Sequence, residues 1–166
     1  MTDEENFDKA LSYAYRLFKY RPRSRKELQE RLKLQRYNTA IIDRVIHEFE
    51  QQGLIDDKRF ARLWALTRIQ RKSSSLTNIK GELLLKGVDS QIIDDTLGRL
   101  KKDFNEYEIA KSLATKKLRL LTGVKKLNPA IARKGGIKAK KRLFDYLKRR
   151  GFCFDVIYKV LDEIYD

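Results

Sequence analysis

An all-α array of three tandem three-helix repeats is the fold class that this 166-residue chain predicts, and three observations predict it. Leu28, Leu32, Tyr37, Ile41, Ile42, Val45, Ile46 and Phe49 recur as Ile79, Leu83, Val88, Ile92, Ile93, Thr96, Leu97 and Leu100, at a constant offset of 51. A further copy, Leu143, Leu147, Phe152, Val156, Ile157, Val160, Leu161 and Ile164, follows at offset 64. No stretch alternates as a strand does, and proline is absent from residues 23 to 128, so nothing there interrupts a helix. Self-similarity at a fixed period marks a repeat architecture, which commonly presents an extended binding surface. The predicted partition is 1–55, 56–103 and 104–166.

The elements follow in order. Asp3 is a plausible N-cap, with Glu4 and Glu5 in the first turn. Phe7, Ala10, Leu11, Ala14, Leu17 and Phe18 then trace an amphipathic helix to about Tyr20, which Pro22 ends. Ser24 and Glu27 have the capping-box spacing, opening a second helix with Leu28 and Leu32 inward. Asn38 caps a third helix striped by Ile41, Ile42, Val45, Ile46 and Phe49, and Gly53 stops it. In the second repeat, Asp56 or Asp57 starts a helix carrying Phe60, Ala61, Trp64, Ala65 and Ile69. Ser73 to Ser75 make a loop before a helix from Leu76 to Lys86, closed by Gly87, and Asp89 caps the helix running to about Lys102. Phe60 and Trp64 are expected in the core, while Tyr37, Val88 and Phe152 lead into the third helices as apolar staples.

The third repeat departs from the template. Ala110 and Ala114 match Ala61 and Ala65 at offset 49, whereas the later helices match at 64, so 15 residues are inserted. The insertion lies near 122–136 and contains Gly123, Pro129, Gly135 and Gly136. Cys153 stands where Asn38 and Asp89 act as caps, so that helix starts with weaker capping or shifts towards Asp155. Phe152 and Phe154 on either side suggest that this lone cysteine is partly buried.

The net charge is +15, a surplus that favours a polyanionic partner and above all nucleic acid. It is unevenly placed: residues 1–53 carry +2, residues 54–103 carry +4 and residues 104–166 carry +9. Between Glu108 and Asp145 there are 12 bases and no acid. From that window Lys116, Lys117, Lys125, Lys126, Arg133, Lys134, Lys138, Lys140 and Lys141 are candidate phosphate contacts, and Arg149 and Arg150 follow just after it. A smaller cluster, Arg23, Arg25 and Lys26 beside Arg21, straddles the first interhelical turn; Arg71 and Lys72 occupy the equivalent turn of the second repeat. The plain alternative is a solvated face, and cations at a helix C-terminus such as Arg149 and Arg150 are favoured in any case.

Enzymatic signatures are missing. His47, the single histidine, lies opposite the apolar stripe of its helix, and no phosphate-binding glycine loop or dinucleotide fingerprint occurs. A single cysteine permits no intrachain disulfide and no thiol-rich metal site. The sequence therefore predicts no cofactor and no metal. The acidic N-terminus is unlike a signal peptide, and no apolar run approaches the ~20 residues of a membrane span, which suggests a cytoplasmic protein with no membrane partner.

Four motifs follow one another in order: Arg23-Ser24 with Glu27-Leu28; Gly53-Leu54-Ile55-Asp56-Asp57-Lys58-Arg59-Phe60-Ala61; Ile79 with Glu82-Leu83 and Lys86-Gly87-Val88; and Leu147 with Arg149-Arg150-Gly151-Phe152. Together they resemble the RecX family, the regulators of the RecA recombinase. The resemblance implies an elongated, curved array of the three repeats. It also implies binding to the RecA filament on single-stranded DNA, with inhibition of recombinase and coprotease activities. Duplex DNA is expected as a further ligand through phosphate contacts, and the chain is expected to be a monomer. Ser73-Ser74-Ser75-Leu76 departs from the family pattern, which often has glycine and a base there. The motif residues themselves read as structural. The leading rival is a winged-helix transcription regulator, since residues 24–55 imitate a helix-turn-helix, but that scaffold needs a β-hairpin wing where Phe60 to Ile69 has helical spacing. A structural RNA-binding protein fits the charge equally well.

Overall fold

A computed structural model describes the backbone of residues 3–72, 74–123 and 136–165, and the side chains of all of these except Arg71 and Lys72. The described residues form helices joined by short turns, with no strand among them. The first triplet is α1 (Asp3–Tyr20), α2 (Arg25–Leu34) and α3 (Thr39–Gln51). The second is α4 (Asp57–Lys72), α5 (Leu76–Leu85) and α6 (Ser90–Asp103). The third is α7 (Glu106–Thr122), α8 (Gly136–Arg149) and α9 (Phe154–Tyr165). Residues 60–69 lie inside α4, so the hairpin wing of the rival fold is not there.

Polar side chains set most helix starts. Ser24 forms both halves of the capping box with Glu27. The Ile41 amide donates to Asn38 Oδ1 at 2.8 Å, Arg59 to Asp56 Oδ1 at 2.9 Å, and Gln91 to Asp89 Oδ1 at 2.8 Å. Each satisfies a backbone donor that has no partner within its helix, worth about 1 kcal/mol. Asn105 caps α7 by accepting from Tyr107 and Glu108, a start the repeat pattern does not single out. Asp3 lies within α1 rather than ahead of it, where its charge still suits the positive end of the helix. Without a strong cap, α9 nevertheless begins at Phe154, and the Ile157 amide donates to the Cys153 carbonyl at 3.0 Å. Backbone bonding and the buried stripe of Ile157, Val160 and Leu161 are enough to fix that start without a move to Asp155. Cys153 itself is exposed, contrary to expectation, because only Phe152 of its two aromatic neighbours turns inward.

The chain divides into two compact units, residues 1–64 with 81–96, and residues 65–80 with 97–166. The middle triplet contributes to both. In the first unit, Ala10 and Ala14 of α1 meet Leu28, Leu32, Ile41, Ile42, Val45, Ile46 and Phe49 in one core. In the second, Ala110, Leu113, Ala114 and Leu118 of α7 meet Leu143, Leu147, Phe152, Ile157, Val160 and Leu161. The repeat-equivalent alanines let neighbouring helices approach, and each fully buried leucine or isoleucine contributes about 1.5–3 kcal/mol.

Successive repeats are joined by one device used twice. The Ser24 hydroxyl, fully buried, donates to the carbonyl of Lys86 at the end of α5. The equivalent serine, Ser75, donates its backbone amide to the carbonyl of Arg150 at the end of α8. Each accepting carbonyl precedes a glycine of positive φ, Gly87 (74°) and Gly151 (80°). A Cβ on Gly87 would lie 2.6 Å from Cβ of Lys26; one on Gly151 would lie 2.6 Å from Oγ of Ser75. Glycine is thus demanded twice, by the left-handed conformation and by the closeness of the preceding repeat. In the first repeat the matching residue is Arg36, also left-handed (62°) and exposed. In the third repeat α8 runs through the position of the serine cap, placing Ala139 there inside the helix.

Candidate nucleic-acid interface

The basic residues of the first interhelical turn are held by internal partners. Arg21 forms a two-pronged pair with Glu27, both bonds at 2.9 Å, and Lys86 reaches the same carboxylate at 2.6 Å. Burial pushes the Glu27 carboxyl up, but the hydrogen bonds from Arg21 and Lys86 more than offset it and hold the group at about 2. Arg23 donates to the Leu17 carbonyl in the last turn of α1, and burial, with Arg21 beside it, lowers its pKa. Arg25 bonds Glu50 at 2.8 Å, and its amide donates to Asp57. Burial raises the Asp57 carboxyl pKa, against the pull of that bond. Lys26 lays its stem over Gly87 and donates to the Leu85 carbonyl. These cations close a turn and a repeat junction.

Trp64 is half-buried rather than in a core. Its Nε1 donates to Glu82 at 2.7 Å, Phe60 stacks on it with centroids 5.7 Å apart, and the Lys86 ammonium sits 4.1 Å from its ring centroid. Of the remaining motif residues, Leu28, Ala61, Leu83 and Leu147 are fully buried and Phe152 and Phe60 nearly so. Gly53 ends α3 in the left-handed conformation.

The third repeat is different. Lys138, Lys141, Arg142 and Arg149 are exposed on α8, and none of their side chains bonds or pairs with another described residue. Lys138, Arg142 and Arg149 follow one another at helical spacing along one line, which also carries Asp145. Lys116 on α7 is equally exposed. Others have partners: Lys140 pairs with Asp162 at 3.7 Å, Lys117 lies 5.7 Å from the Tyr146 ring centroid, and Arg150 lies 5.3 Å from it on the same residue. Lys125, Lys126, Arg133 and Lys134, with most of the insertion, lie outside the described residues, as do the side chains of Arg71 and Lys72. Among the described residues no three His, Cys, Asp or Glu side chains group as metal ligands would. Nor is any described helix long and apolar enough to cross a membrane.

Residues 10–49 match the family model described as RecX, first three-helix domain, and residues 56–97 that of RecX, second three-helix domain. The regulatory protein RecX of Chlorobium phaeobacteroides (strain BS1) is 31% identical over 157 residues, spanning 95% of this chain and 94% of that protein. The chain belongs to the RecX family. Regulatory protein RecX of Corynebacterium efficiens is 34% identical over 164 residues, covering 96% of this chain and 75% of the relative. The crystal structure of RecX from Lactobacillus salivarius superposes with a TM-score of 0.75 over 97% of each chain at 24% identity, a likeness of fold.

In this RecX-family chain the sequence pattern also passed over an aromatic group. Phe144 of α8 stacks on Phe154 of α9, centroids 5.9 Å apart and planes 11° apart, and Tyr158 completes the trio at 5.7 Å from Phe144. Phe154 and Tyr158 are 52% and 54% exposed. The separation of four residues between Phe154 and Tyr158 was the available signal, one turn of helix beside the core stripe rather than on it.

Proposed function

We propose that this protein regulates the RecA recombinase by binding its filament on single-stranded DNA, most strongly as an inhibitor of recombinase and coprotease activities. Family membership supports the regulatory role. The observation that carries the binding mode is the row of exposed α8 cations, Lys138, Arg142 and Arg149, set in the most basic third of the chain. Phosphates are the complement of such a row, and duplex DNA can use the same charge. The protein acts in the cytoplasm as a monomer of three repeats, 1–55, 56–103 and 104–166, through binding and with no bond-making chemistry of its own. Regulation then follows from differential affinity for assembled and free recombinase.

The test is RecA-catalysed ATP hydrolysis on single-stranded DNA with increasing amounts of the protein. Inhibition well below one molecule per recombinase subunit indicates action at filament ends, and stoichiometric inhibition indicates binding along the filament. Unchanged hydrolysis and strand exchange at low salt would refute the proposal.

A further inference from the structure

The aromatic trio of the third repeat has the composition of a ligand surface rather than of a core. Phe144 packs partly against the core, but Phe154 and Tyr158 keep about half of their surface in water. Leaving two large rings so exposed gives up hydrophobic stabilisation that inward placement would supply. Their surroundings are cationic. The Lys148 ammonium lies 5.5 Å from the Phe154 ring centroid, and Lys141, Phe144 and Lys148 succeed one another at helical spacing along α8. On the facing helix Asp162 is paired with Lys140 and Glu163 with Lys111; Asp155, beside Phe154, and Asp145, beside Phe144, have no such partner among the described residues.

Flat apolar faces bordered by lysines meet the two demands of single-stranded DNA, whose unstacked bases need a π-surface and whose phosphates need positive charge. A duplex hides its base faces, and an apolar protein partner has no use for the lysine border. We infer that Phe154 and Tyr158, backed by Phe144, form a stacking platform for unpaired DNA bases, with Lys141 and Lys148 holding the adjoining phosphates. This deepens the proposed function and rests on its reading of the third repeat as the DNA-contacting part. It differs in naming a contact to bases, made by aromatic residues, with free single-stranded DNA.

The full-length protein is titrated into three fluorescent ligands at low salt: an oligothymidylate, an abasic strand of equal length, and a duplex. Wild type is expected to bind the oligothymidylate more tightly than the abasic strand, and Phe154→Ala/Tyr158→Ala to lose about tenfold or more on the oligothymidylate alone. Circular dichroism verifies the fold, and Phe154→Leu, which keeps apolar bulk without a π-face, is expected to lose the preference as well. Phe154→Trp adds an emission that the oligothymidylate quenches and the abasic strand does not. Equal binding of normal and abasic strands by wild type would overturn the platform. So would an alanine variant that binds like wild type, an equal loss on duplex, tighter binding of oligouridylate than oligothymidylate, or a loss of filament binding with DNA affinity unchanged. A platform that fails while RecA hydrolysis is still inhibited leaves the proposed function standing. Base preference without any effect on RecA does the reverse.

Discussion

The hydroxyl of Ser24 lies 2.7 Å from the carbonyl oxygen of Lys86, a residue 62 positions further along the chain. The same oxygen atom of Ser24 accepts the Glu27 amide at 3.1 Å, so one buried side chain both starts α2 and ties it to the end of α5. Removing it leaves the Lys86 carbonyl without that donor as well as uncapping a helix. Ser24→Ala is therefore expected to lower stability by about 2–3 kcal/mol. Asp89→Ala, which removes an exposed cap alone, is expected to cost about 1 kcal/mol. Urea denaturation of the two variants, compared with wild type, measures the difference.

Gly87 and Arg36 share a backbone conformation and differ in what lies beside them. Gly87→Ala places a methyl group against Lys26 and adds left-handed strain, so a loss of about 2 kcal/mol or more is expected. Arg36→Gly relieves strain but frees the unfolded chain, and its net effect is expected within about 1 kcal/mol of zero. Thermal melts of both variants check the contrast; equal effects would mean that the junction does not require glycine.

Glu27 gives the repeat junction a pH dependence. Its carboxyl is held at about 2 in the folded chain against an ordinary 4.5, so its contribution is complete above pH 4.5 and disappears as the pH falls towards 2. After allowance for solvent screening of a half-buried network, that contribution is about 1–2 kcal/mol. Glu27→Gln is expected to be less stable at neutral pH and to show a shallower fall of unfolding free energy between pH 4.5 and 2. Urea titrations at stepped pH test the slope.

Much of the fold was legible because its signals are local. Ser24, Asn38 and Asp89 sit beside the helices they start, and the apolar stripes repeat within a few turns. The junctions were not legible, since nothing near Ser24 in sequence reveals that Lys86 will face it. The same distance problem affected the basic residues. Arg23 and Arg25 form part of a charge cluster in sequence, yet their partners are the Leu17 carbonyl and Glu50. The α8 cations could be read because no acid stands from Ile109 to Phe144, which removes most candidates for internal pairing. Phe154 stands beside Cys153 in sequence, where it would shield the thiol, but its position at the edge of the α9 stripe leaves it in water instead.

The two groups of basic residues should separate experimentally. If the α8 row binds phosphates, Lys138→Glu/Arg142→Glu/Arg149→Glu weakens binding to single-stranded DNA and to the RecA filament. It should also flatten the plot of log affinity against log salt by about 0.7 for each phosphate no longer neutralised, or about 2 for three. Exposed side chains with no partner among the described residues carry little of the fold, so the melting temperature should stay close to that of wild type. Arg25→Ala should behave in the opposite sense. It removes the bond to Glu50 between α2 and α3, lowering thermal stability modestly while leaving the salt slope intact. Fluorescence anisotropy at four or more salt concentrations, paired with thermal melts, measures both quantities. A salt slope that falls for Arg25→Ala but not for the α8 variant would move the DNA-binding surface to the first turn, away from the third repeat.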